Sequence, residues 1–105
     1  MELNVAERLV LLNILPAEGD LITLRVVRKM REDLSFSEGE IAALELKQDG
    51  TLYHWKREAD VPREIALGPK AREIARERLE ALNKEKKLTE QHLSLCDKFE
   101  VGTEE

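Results

Sequence analysis

The chain has 105 residues, 22 acidic against 17 basic side chains, a formal net charge of −5 and 42% hydrophobic residues. That length fits one domain around one core, and that hydrophobic content excludes chain-wide disorder. The acidic balance argues against a general nucleic-acid binder, which carries a basic excess. Cys96 is the single cysteine, so no disulfide framework can form within one chain. No run approaches the roughly 20 apolar residues that span a bilayer, and "MELNVAERLV" lacks a basic start followed by an apolar core. A cytoplasmic protein with no membrane partner is the expectation.

"NVAERLVLLNIL" predicts the first helix. Asn4 caps it and Glu7, three residues on, reaches back as in a capping box. Val5, Leu9 and Leu12 share one face, and Ala6, Val10 and Ile14 widen it, which predicts burial on two sides. Pro16 ends the helix, because the residue before a proline resists the α region. After "PAEGD", Asp20 or Thr23 caps a second helix running to about Leu34, with Leu24, Val27, Met30 and Leu34 as its apolar stripe. Ser37 and Glu40 form a second capping box, and Phe36 with Ile41 a hydrophobic staple, so a short third helix starts at Ser37.

"LELKQDGTLYHWK" predicts a β-hairpin. A two-residue loop at Asp49-Gly50 would place Leu46 opposite Tyr53 and Leu44 opposite Trp55, all on one face. "REIAL" reads as a possible third strand beside the Tyr53–Trp55 strand. "GP" then opens a fourth helix, with Pro69 at its first position, running to about Lys86 over a stripe of Ala71, Ile74, Ala75, Leu79 and Leu82. Glu80 and Lys84 have favourable i, i+4 order. Thr89 caps a fifth helix with Leu88 and Leu93 as a staple and Leu93, Cys96 and Phe99 inward. The expectation is a single α+β domain over residues 1–100, with a winged-helix-like core of three helices plus hairpin, two added C-terminal helices, and a flexible tail at 101–105.

The chemistry expected of a DNA-reading helix is missing. The third helix offers Glu38 and Glu40 where a recognition helix would meet phosphates of the same sign. Basic residues cluster instead on the second helix, at Arg25, Arg28, Lys29 and Arg31. These read either as a solvated face or as a docking patch for an acidic protein or a nucleic-acid backbone. Tyr53 and Trp55 are candidate partner contacts on the hairpin. His92 and Cys96 share a helix face, but two ligands do not close a zinc site, and no phosphate loop, dinucleotide fingerprint or nucleophile elbow occurs. No catalytic residue, metal or cofactor is therefore assigned.

The stretches "ERLVLLNILPAEGDLITLRVVRKMREDLSFSEGEI" and "LTEQHLSLCDKF" resemble a group of short, uncharacterised proteins encoded by bacteriophages and prophages. The resemblance implies a bacterial cytoplasmic setting and a non-enzymatic protein that binds a host or phage protein. The expected function is thus a protein-binding module, able to self-associate through the hairpin face or the C-terminal helices. The alternatives are a nucleic-acid-binding regulator using Arg25, Arg28, Lys29 and Arg31, and a small structural or assembly subunit.

Overall fold

A computed structural model of the chain describes residues 1–102. The architecture is mixed α+β. Strand β1 (Glu2–Leu3) leads into helix α1 (Val5–Ile14), followed by α2 (Leu21–Leu34) and α3 (Glu38–Leu44). The hairpin β2 (Lys47–Asp49) and β3 (Leu52–His54) comes next, then a 3-10 turn at Arg57–Ala59 and strand β4 (Arg63–Glu64). Helices α4 (Pro69–Lys84) and α5 (Glu90–Lys98) complete the fold. Helix α1 is central and packs against α2, α4 and α5. The core joins Leu11 and Ile14 of α1 to Val27, Met30 and Leu34 of α2, to Ile74, Ala75 and Leu79 of α4, and to Leu95, Cys96 and Phe99.

Local chemistry places most helix starts where the sequence puts them. Asn4, Asp20 and Ser37 each accept a hydrogen bond from the backbone N–H three residues on. Glu7 and Glu40 reach back to close the two capping boxes. Helices α3, α4 and α5 end alike, each in a left-handed residue, Glu45, Lys86 and Glu100. In each case the next N–H bonds the carbonyl five residues back, from Leu46 to Ile41, Lys87 to Leu82 and Val101 to Cys96. These are Schellman ends built without glycine. Val101, the first residue of the expected flexible tail, is buried against the core at that turn. The remainder of that expected tail, 103–105, lies outside the described residues.

The hairpin forms, with a different register. Gly50 and Thr51 are the loop, Asp49 pairs with Leu52, and Gln48 rather than Leu46 faces Tyr53. Gly50 takes φ +64°, the conformation a tight hairpin loop needs at its first position, and glycine adopts it without a Cβ clash. The slip is by two residues, so side chains keep their faces. Leu44, however, is the last residue of α3 rather than a strand residue, since the left-handed Glu45 ends the helix only there. Burial fades along the ribbon: Leu44 is buried, Leu46 and Trp55 half-buried, and all six strand residues are exposed.

The third strand exists but pairs elsewhere. Glu64 lies opposite Glu2 and Arg63 opposite Leu3, so β4 joins β1 instead of β3. This pairing sets Met1, Leu3 and Ile65 on one apolar face, with Leu3 and Ile65 buried. The order of three helices and a hairpin is that of a winged helix. The likeness stops at order, because the described residues form two separate two-stranded sheets.

Several stripe positions shift. Leu24 is exposed, and α2 buries only Val27, Met30 and Leu34 of its expected stripe. Ala6 is exposed and Leu9, Val10 and Leu12 half-buried, while Glu7, Arg8 and Leu11 are buried. On α5, Leu93 is exposed and Leu95 takes the inward position. Glu80 pairs with Arg76 one turn before it, not with Lys84.

The left-handed helix ends give a stability prediction. A left-handed non-glycine residue costs about 1–2 kcal/mol, partly offset by the greater entropy glycine loses on folding. Lys86 is exposed, so Lys86→Gly is expected to stabilise the protein by about 0.5–1 kcal/mol, read as a higher urea midpoint with an unchanged denaturant slope.

Candidate docking site on the second helix

The site rests on a charge buried in α1. Arg8 is only 3% exposed. Its Nε donates to the Leu34 carbonyl at 3.1 Å, and one terminal nitrogen donates to the Ser35 carbonyl at 2.6 Å. The other donates to Glu40 Oε2 at 2.7 Å, and the guanidinium stacks 3.9 Å from the Phe36 ring centre. Arg8 thereby satisfies carbonyls left over at the C-terminus of α2 and fixes the turn into α3. Glu40 also accepts from the Ser37 N–H at 3.0 Å and meets Arg63 of β4 at 2.8 Å. The Arg8 bond holds the Glu40 carboxyl down at about 2, against the opposing effect of burial, with help from Ser37 and Arg63.

The neighbouring Glu7 points the other way. It accepts from Lys98 of α5 at 2.7 Å and from the Asn4 N–H at 3.0 Å. Burial works against its charge, but the bonds from Lys98, Asn4 and Ser94 outweigh that and leave its carboxyl below the usual range. Sequence patterning missed both residues as tertiary links. Glu7 is legible as a cap, and Glu40 likewise, but nothing local says that a cap carboxylate also receives an arginine from another helix.

With α1, α2 and α3 so fixed, an open groove of about 1000 Å³ lies between α2 and residues 63–71. Val26, Met30, Phe36, Ile65 and Leu67 supply its apolar lining. Arg25, Lys29, Arg63 and Lys70 stand among its charged residues, with Glu32, Asp33, Glu40 and Glu64. Of the four cations singled out by sequence, Arg25 and Lys29 line this groove, while Arg28 and Arg31 do not. All four are exposed. Lys29 is held by Asp33 at 2.7 Å, but Arg25, Arg28 and Arg31 make no ion pair among the described residues.

Beside these arginines the first turn of α2 leaves Leu21 62% and Ile22 66% exposed, with Leu24 also at the surface. The helix overshoots the core at its N-terminus: its inward residues begin at Val27. Tyr53 and Trp55 belong elsewhere. Neither lines the groove. Tyr53 is exposed on the ribbon. Trp55 donates its indole N–H to Asp60 at 3.3 Å and lies 4.9 Å beneath Arg57, while Asp60 also accepts from the Val5 N–H. That makes Trp55 the anchor of the hairpin base to the start of α1. Cys96 is buried in the core, and burial pushes its thiol up, away from the reactive thiolate. His92 is occupied as the capping partner of Thr89. No group of three metal-ligating side chains gathers among the described residues, and no helix there is long and apolar enough to cross a membrane.

No family model, curated protein or solved structure matches the chain.

The Arg8–Glu40 contact gives a pH prediction. Glu40 ionises near 2 when folded and near 4.5 when unfolded. Its contribution is therefore complete above about pH 4.5 and lost as pH falls towards 2. Glu40→Gln keeps the cap but removes the charge facing Arg8. It is expected to cost about 2–3 kcal/mol at pH 7 and to flatten the acid limb of the stability profile below pH 4.5. Urea unfolding of both proteins from pH 2 to 7 measures this; parallel acid limbs would refute it.

Proposed function

We propose that this protein is a non-enzymatic protein-binding module that docks through the exposed side of α2. One observation carries the reading. Leu21, Ile22 and Leu24 lie at the surface next to Arg25, Arg28 and Arg31, which have no ion-pair partner among the described residues. Exposed apolar area desolvates favourably in an interface, and arginine is among the residues most enriched at interface hot spots. Unpaired cations on a chain of net charge −5 call for a partner with surface carboxylates. The pattern resemblance adds a setting, a bacterial cytoplasm in which the chain modulates a host or phage complex.

The same three arginines favour a second reading, a nucleic-acid-binding regulator. The leucines and isoleucine beside them weigh for protein, because a phosphate backbone offers apolar side chains nothing in return for desolvation.

A pulldown from bacterial lysate, with and without nuclease, separates the two. Tagged wild type is compared with the double variant Leu21→Ser, Arg28→Glu, both substitutions lying at exposed positions. The expected outcome is a protein band that survives nuclease and is lost in the double variant, with helicity unchanged by circular dichroism. A band that vanishes with nuclease, together with duplex DNA shifted at low salt and released steeply as salt rises, establishes the second reading instead.

A further inference from the structure

The groove beside α2 is bounded on its other side by backbone that has spare hydrogen-bonding capacity. The Ile65 N–H donates to the Met1 carbonyl at 2.8 Å and the Met1 nitrogen to the Ile65 carbonyl at 3.2 Å. In an antiparallel ladder such mutually bonded pairs alternate with unbonded ones. Glu64, opposite Glu2, is therefore in an unbonded pair, and its peptide groups point away from β1. Ala66, two residues on, points the same way, and its N–H has no acceptor among the described residues. Both residues line the groove. The groove thus combines a free strand edge with an apolar lining of Val26, Met30 and Phe36 from the helical side.

We propose that an extended peptide segment of the partner protein, with apolar side chains alternating with carboxylates, adds as a third strand to the free edge of β4 in this groove. The proposal rests on the protein-binding reading and names the class of partner. Three features set the chemistry. An unpaired strand edge is a template for extended backbone, and strand addition takes its affinity from main-chain bonds and its specificity from alternate side chains. The groove, at about 1000 Å³, has room for a short peptide, whose every second side chain would turn towards the apolar lining.

Charge decides the rest. Three of the four carboxylates at the groove already have partners: Asp33 with Lys29, Glu40 with Arg8 and Arg63, and Glu64 with the amino group of Met1 at 2.6 Å. Arg25 has none among the described residues, and Lys70, which also acts on Asp20, meets Glu73 at 3.7 Å on an exposed turn. Glu32 is the one groove carboxylate in no ion pair among the described residues, and beside Arg25 and Lys70 it leaves room for a further carboxylate on the incoming strand.

An array of acetylated octapeptides, with Val, Ile or Phe at alternate positions and Asp or Glu between, is probed with the full chain. Matched peptides carry Lys in place of the acids. The best binder is then titrated into 15N-labelled protein. The expected result is binding that weakens at least about tenfold on acid-to-Lys exchange, with the Glu64 and Ala66 amides shifting and exchanging more slowly. Ala66→Pro deletes one edge N–H and is expected to weaken binding about tenfold at unchanged helicity and unfolding midpoint. N-methylation of the peptide at the alternate nitrogens that face β4 gives the same loss without touching the protein. Absence of binding by every array peptide overturns the proposal, as does equal binding by Ala66→Pro and the N-methylated peptides. Ala66→Pro is also taken through the lysate pulldown. If it keeps a partner that the Leu21→Ser, Arg28→Glu variant loses, docking through α2 stands and strand addition falls. If both variants keep the partner, docking through the exposed side of α2 falls as well.

Discussion

The buried guanidinium of Arg8 organises this molecule. It lies in α1 but binds the last carbonyls of α2 and the first-turn carboxylate of α3, with the Phe36 ring against its face. A charge placed that deep is tolerated because its donors are answered, two by carbonyls and the others by a carboxylate. Breaking the set would leave the cation buried without its counter-charge, which is far more costly than never having buried it. The α2–α3 corner is thereby fixed in angle as well as position. Glu7 does the same for α5 through Lys98, so two consecutive residues of α1 tie down elements on both sides.

The candidate docking surface follows from that arrangement. Arg63 shares Glu40 with Arg8, which brings the β4 segment to the end of α2 and bounds the groove there. The other end of α2 is free of this constraint. Its inward face starts at Val27, leaving a first turn that carries leucine and isoleucine into solvent. The helix is therefore anchored at its C-terminal end, while the apolar residues of its first turn stay at the surface. The proposed docking draws on that combination of a helical backbone and apolar side chains open to solvent.

Electrostatics in this chain are local rather than global. A net charge of −5 repels nucleic acid at a distance, yet α2 presents arginines that make no ion pair among the described residues. The acids of α3 are not a counterweight to them. Glu40 is already committed to Arg8 and Arg63, and Glu38 belongs to the first turn, where the helix dipole favours it.

Helix starts, the hairpin and the identity of the buried α4 stripe were legible from the chain itself, because capping boxes, proline position and apolar spacing act within a few residues. Asn4, Ser37 and Pro69 are examples. The cationic candidates on α2 were legible as a cluster, but not which of them face a groove. What only the tertiary structure decided involves partners far apart in sequence: β4 with β1, Arg8 with Glu40, Val5 with Asp60, and the exposure of Leu21, Leu24 and Leu93. Periodicity marks which face of a helix is apolar. It does not mark where along the helix the neighbouring elements stop, and burial, pairing and the free strand edge all depend on that.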